Sequence, residues 1–130
     1  MRYRAMLGAA GFALALAGCG GATENRSATG GTDAVIVVPY SVEPGRSRAD
    51  AVSAIDRISA ELSKQPGFVE ARLLEDAVPD VQPRFVHVTR WRSYRDWDAV
   101  SGSTEFQKVL EGTLPSVRVD LAQVYKPVQR

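Results

Sequence analysis

The stretch Arg84-Phe85-Val86-His87-Val88-Thr89-Arg90-Trp91 carries the only histidine of the chain, four residues before one of its two tryptophans. Imidazole titrates at about 6.5 when unperturbed, so at neutral pH it can take a proton from a weakly acidic carbon or phenol. In an extended strand the side chains alternate, which puts Phe85, His87, Thr89 and Trp91 on one face. At the usual strand rise His87 and Trp91 lie roughly 13 Å apart, near enough to border one cavity and too far to touch. A flat aromatic gripped between them, with Phe85 and Thr89 on the same wall, would meet a base at one end and an indole at the other. A second reading stays open: a core strand whose histidine bonds a neighbour and whose tryptophan is a packing or dimer contact.

The supply of residues closes off other chemistries. One histidine and one cysteine, Cys19, cannot build a zinc site of His and Cys ligands, and no glycine pattern matches a phosphate loop. A serine hydrolase would have to use His87, and no Gly-x-Ser-x-Gly elbow is present. Sixteen basic and 15 acidic residues give a formal charge of +1 with both signs dispersed, so there is no footprint for nucleic acid. Arg84, Arg90, Arg92 and Arg95 cluster around the histidine segment, most simply as a solvated rim paired with Asp96 and Asp98.

The elements that must position these residues follow from periodicity. "AVIVVPY", residues 34–40, is β-branched and apolar on both alternating faces, a strand expected to be buried on both sides. From Arg48 to Gln65, Val52, Ile55, Ile58 and Leu62 recur at three and four residues until Pro66-Gly67 stops the pattern, which predicts an amphipathic helix. "FVEARLLE" is a second strand, "AVPDVQP" a loop and "RFVHVTRW" a third strand. Helical spacing returns from Ser93 to about Gly112, with an interruption expected near Ser101-Gly102-Ser103; Trp97, Val100, Phe106, Val109 and Leu110 form its apolar side. "VRVDLAQVYKPV" is the last strand.

Strand, helix, strand, strand, helix, strand is the order of a ferredoxin-like α+β fold, a βαββαβ antiparallel sheet with helices on one face. Strands 1 and 3 are apolar on the other face too, and another copy of the same sheet is the simplest cover, so a homodimer is expected.

The N-terminus has a different character. "MRYRAMLGAAGFALALAGCGG" sets Arg2 and Arg4 before a short apolar run, the layout of an export signal and too short to span a bilayer. Leu16-Ala17-Gly18-Cys19 resembles the lipobox of bacterial lipoproteins, which implies that residues 1–18 are a signal peptide and that Cys19 is lipidated. Residues 20–33, rich in Gly, Ser and Thr, read as a flexible tether, and residues 34–130 as one domain. Cleavage would take away Arg2 and Arg4 and leave 14 basic against 15 acidic residues, so the acyl chains alone must hold the protein on the membrane. The expected location is the cell envelope, outside the cytoplasmic membrane.

"QPGFVEARLLED" and "RFVHVTRWRSYRDWDAVSGSTEFQKVL" together resemble the antibiotic biosynthesis monooxygenase domain, a dimeric α+β barrel family with this element order. The resemblance covers about residues 34–127 and rests on Pro66-Gly67-Phe68 opening strand 2, on Trp91-Arg92-Ser93, on Trp97 six residues after Trp91, and on Glu105-Phe106. The cofactor-free, quinone-forming members of that family carry an Asn four residues before the strand-3 Trp; here that position is His87, with Trp91 in register. In the haem-degrading branch an Asn on strand 1, a Trp and a His matter; strand 1 has no Asn, and the other two positions hold Val100 and Leu110, so haem degradation is disfavoured. The resemblance implies a monooxygenase without cofactor or metal, acting on an electron-rich aromatic small molecule. His87 and Trp91 would then be the catalytic pair, and Phe85, Thr89, Trp97 and Phe106 would line the substrate pocket. The alternative is a lipid-anchored binding or interaction module that kept the fold without catalysis, and export weighs on that side, because tailoring of small molecules is normally cytoplasmic.

Overall fold

The computed structural model describes residues 33–130. The expected signal, Cys19 and nearly all of the expected tether lie outside the described residues. Strand β1, Ala34–Val42, leads through a turn to helix α1, Arg48–Ser63. Strands β2, Phe68–Glu75, and β3, Phe85–Trp91, follow, then helices α2, Tyr94–Ser101, and α3, Thr104–Thr113. The chain returns as two short strands, β4, Val117–Val119, and β5, Gln123–Tyr125. The sheet runs β2-β3-β1-β4, with β5 also on β1 and every pairing antiparallel. This is the ferredoxin-like α+β arrangement that the sequence order predicts.

Local chemistry fixes the helices. Ser47 caps α1 and closes a capping box with Asp50, which satisfies amides the first turn leaves open. Ala51, Ala54, Ile55, Ile58 and Leu62 are buried at helical spacing, while Val52 is only half-buried. The helix ends at Ser63, two residues before the expected Gln65. Ser93 and Ser103 cap α2 and α3, and the break between them falls at Gly102-Ser103, inside the interruption that the sequence suggests.

Gly67 joins α1 to β2 with φ +87°, and a Cβ there would sit 2.3 Å from Cγ of Asp96. The Gly67 carbonyl accepts the amide of Arg92 at 2.8 Å. The Pro-Gly-Phe turn therefore brings the end of β3 and the first turn of α2 against β2, a close approach that only glycine permits.

Two expectations need correction. Strand β1 is not buried on both sides: Ala34, Ile36, Val38 and Tyr40 are buried, whereas Val35, Val37 and Pro39 are half-buried on the outer face. The helices cover one face only, and Val86 and Val88 of β3 are likewise half-buried on the other. The last strand is also not continuous. It breaks at Asp120–Ala122 beside Pro39, which has no amide hydrogen to contribute to a ladder.

Candidate functional site

A pocket opens between the helices and the inner face of the sheet. Val38 and Tyr40 of β1 with His87 and Thr89 of β3 form its floor, and Ile58 and Leu62 of α1 form one side. Trp97 of α2 with Phe106 and Leu110 of α3 form another. The fourth wall is the segment between the two short strands, Val119 to Ala122. The cavity holds about 90 Å³, widening to an empty space of about 650 Å³ when its open mouth is included. The inner figure is below the ~150 Å³ of a cavity that accepts benzene, so an aromatic ligand must use the mouth as well.

His87 is 2% exposed, and its Nε2 lies 3.3 Å from Oγ of Ser59 on α1. Tyr40 meets the imidazole edge-on, 6.4 Å between centroids. Burial pushes the His87 pKa down to about 4, against a smaller upward pull from Asp56. The imidazole is therefore neutral at pH 7 and a weak base. Thr89 is buried beside it, and its Oγ1 accepts the indole N–H of Trp91 at 2.9 Å, which leaves the hydroxyl hydrogen to be donated elsewhere.

Of the residues that the sequence singles out, His87, Thr89, Trp97 and Phe106 come together around this cavity. Trp91 and Phe85 do not line it. Trp91 is 0% exposed and stands behind the wall, its ring 5.6 Å from both Phe68 and Trp97. Trp97 in turn packs on Phe106 at 6.1 Å, so an aromatic chain runs from the core to the pocket surface with Trp97 at the contact point. Phe85 is buried farther along β3 under the guanidinium of Arg48, 5.9 Å away. His87 and Trp91 therefore cannot grip one ligand between them.

The arginine rim is also arranged differently from the expectation. Arg84 pairs with Glu75, and Arg90 loosely with Asp33 and Glu70 at 3.5–3.6 Å. Asp96 instead holds Ser93 at the start of α2, and Asp98 accepts from Tyr94. Sequence reasoning missed Tyr40 and the segment Val119–Ala122. Strand alternation could have supplied Tyr40, which shares a face with Ile36 and Val38; nothing local marks the segment. Among the described residues no three His, Cys, Asp or Glu side chains come together to hold a metal ion.

Solved structures share this architecture. SnoaB from Streptomyces nogalater, described as a cofactor-independent oxygenase, superposes with a TM-score of 0.64 at 18% identity, covering 76% of this chain and 96% of that one. Rv0793 from Mycobacterium tuberculosis gives 0.60 at 18% identity over 75% and 97% of the two chains. A dimeric ferredoxin-like protein of unknown function from Bacteroides fragilis gives 0.53 at 7% identity over 73% and 96%. At such identities the likeness is one of fold. No curated protein matches the chain. The family model for antibiotic biosynthesis monooxygenase matches residues 34–112, which takes in the strand, glycine turn and helices that build the pocket: the chain belongs to the antibiotic biosynthesis monooxygenase family.

Proposed function

We propose that the pocket binds a flat, electron-rich aromatic and that the domain oxygenates it without a cofactor. The observation that supports this most is the apolar cavity of Trp97, Phe106, Ile58 and Leu62 over a floor that carries His87 and Thr89 beside Tyr40, with Asp120 the one carboxylate on its wall. Apolar walls with a few convergent polar groups are the usual form of a small-molecule site. In the reaction a phenol loses its proton, molecular oxygen adds to the electron-rich ring carbon, and cleavage of the O–O bond leaves a quinone carbonyl and one water. Family membership supports this chemistry, and the cavity supports its substrate shape.

His87 has a defined share in that reading. Moving a proton from a phenol of pKa about 10 to a group of pKa about 4 is uphill by roughly 8 kcal/mol. His87 therefore hydrogen-bonds the substrate oxygen and orients the ring, while the proton leaves to solvent. The same weak basicity favours a second reading, a binding domain without turnover.

The test is tryptophan fluorescence and oxygen uptake with a series of phenols. Binding should quench emission, Trp97→Phe should remove most of the quench, and Trp91→Phe should keep it. Oxygen uptake should be lost in His87→Ala. It should follow the ionisation of the substrate, with no rise centred near 6.5, because His87 is already neutral above about 4. Quenching without uptake leaves the binding domain; neither signal removes both readings.

Two features of the whole protein belong to the proposal. Leu16-Ala17-Gly18-Cys19 supports export and lipid anchoring at Cys19. No helix among the described residues is long and apolar enough to cross a membrane. The half-buried outer face of β1 and β3, extended by Leu74 and Tyr125 at 54% and 51% exposed, supports a homodimer of facing sheets.

A further inference from the structure

We infer that Pro39 sets the size of ligand the pocket admits, by leaving the β1 edge only half-paired, through its carbonyl alone, where Asp120, Leu121 and Ala122 form the pocket wall. The inference rests on the pocket being the ligand site. Between the pairs Tyr40/Val119 and Val37/Gln123, β1 uses two residues, Val38 and Pro39, whereas the returning chain uses three, Asp120, Leu121 and Ala122. The ladder therefore contains one extra residue on the returning side, a bulge.

The cause lies on β1. In an antiparallel ladder the amide and carbonyl of one residue face the same neighbour. The Pro39 carbonyl accepts the amide of Asp120 at 3.0 Å, so an amide at position 39 would face Asp120 as well. Proline has none, and the reciprocal bond to the Asp120 carbonyl cannot form. Pairing stops, and the chain bows away before β5 rejoins β1.

The bowed residues line the cavity, and Leu121 is 60% exposed on its other side, so the wall there is one residue thick. The room behind it is about 90 Å³, less than a free aromatic ring needs. A single ring fits by reaching into the open mouth; a ligand of several rings must also push this wall outward, and the missing ladder bond makes that displacement cheap. Valine at position 39 would add an amide able to bond Asp120 and would stiffen the wall. Alanine there would add the same amide without a β-branched side chain.

The experiment titrates the full chain with phenol and with a hydroxyanthracene, reading tryptophan emission, alongside amide exchange at Leu121 and Ala122. Pro39→Val should bind phenol within twofold of the unmodified protein. It should bind the hydroxyanthracene about tenfold more weakly, the effect of one net hydrogen bond, with exchange slowed by a similar factor. Pro39→Ala should discriminate in the same direction, which covers the case in which Pro39→Val folds poorly. Equal loss for both probes, or unchanged hydroxyanthracene binding in a folded variant, overturns the inference and leaves the ligand site standing. Failure of the unmodified protein to bind either probe overturns the ligand site and the inference together.

Discussion

His87 is a histidine that the fold holds neutral, and that has a thermodynamic signature. Its folded pKa of about 4 lies below the unfolded value of about 6.5, so between those limits the unfolded chain binds a proton that the folded chain does not. Its contribution is present in full above about 6.5 and is lost as the pH falls to about 4, amounting to about 3 kcal/mol. Urea unfolding at pH 7.5 and pH 4.5 should show this loss in the unmodified protein and a smaller one in His87→Asn, whose side chain does not titrate. An equal loss in both would mean that the imidazole is not desolvated. Alternation along β3 made the shared face of Phe85, His87, Thr89 and Trp91 legible in the sequence. It could not say which of them meets the cavity, because that depends on what packs above the strand. Trp97 of α2 lies against Trp91, and Thr89 takes the indole N–H, so Trp91 is sealed off while His87 and Thr89 remain in the pocket.

At the scale of elements, the Pro-Gly-Phe turn does the most for the site, because it sets β2, the end of β3 and the first turn of α2 in contact. Gly67→Ala forces a left-handed backbone on a residue with a Cβ and drives that Cβ into Asp96. It should cost about 2 kcal/mol or more, measured as a lowered urea midpoint with an unchanged slope. Loss of quenching by bound phenol should accompany it, since α2 carries Trp97. The helices were readable because their spacing and caps are local: Ile55, Ile58 and Leu62 mark α1, and Ser93 and Ser103 start α2 and α3. The division of the last strand was not readable. "VRVDLAQVY" looks like one strand because its own residues can all pair; the break is imposed by Pro39, far away in sequence and adjacent in space.

At the scale of the whole molecule, among the described residues, the outer sheet face leaves the half-buried Val35, Val37, Val86 and Val88 without a cover. Val37→Asp places a charge on that face opposite Val88 on one side and Gln123 on the other, so in a dimer of facing sheets it would be buried twice with no cation directly across from it. Light scattering of residues 34–130 should show a dimer for the unmodified domain and, for the variant, association weakened about a hundredfold or more. A monomeric unmodified domain would remove the facing-sheet proposal. Lipidation is tested separately: Cys19→Ser should shift the protein from the detergent-extracted membrane fraction to the aqueous fraction or leave it uncleaved. Unchanged size and partition would remove the anchor.

The position of β1 in the sheet has a consequence for how the chain acquires its structure. The first strand made is the central one, with Ala34 opposite Trp91 on one edge and Val35 opposite Tyr125 on the other. Its pairings span most of the domain, so contact order is high and early segments have nothing native to pair with. β1 can pair with β3 once Trp91 has been made, but its other edge stays open until β5 has emerged. Until then "AVIVV" is an apolar strand with an open edge, in need of protection from neighbouring chains.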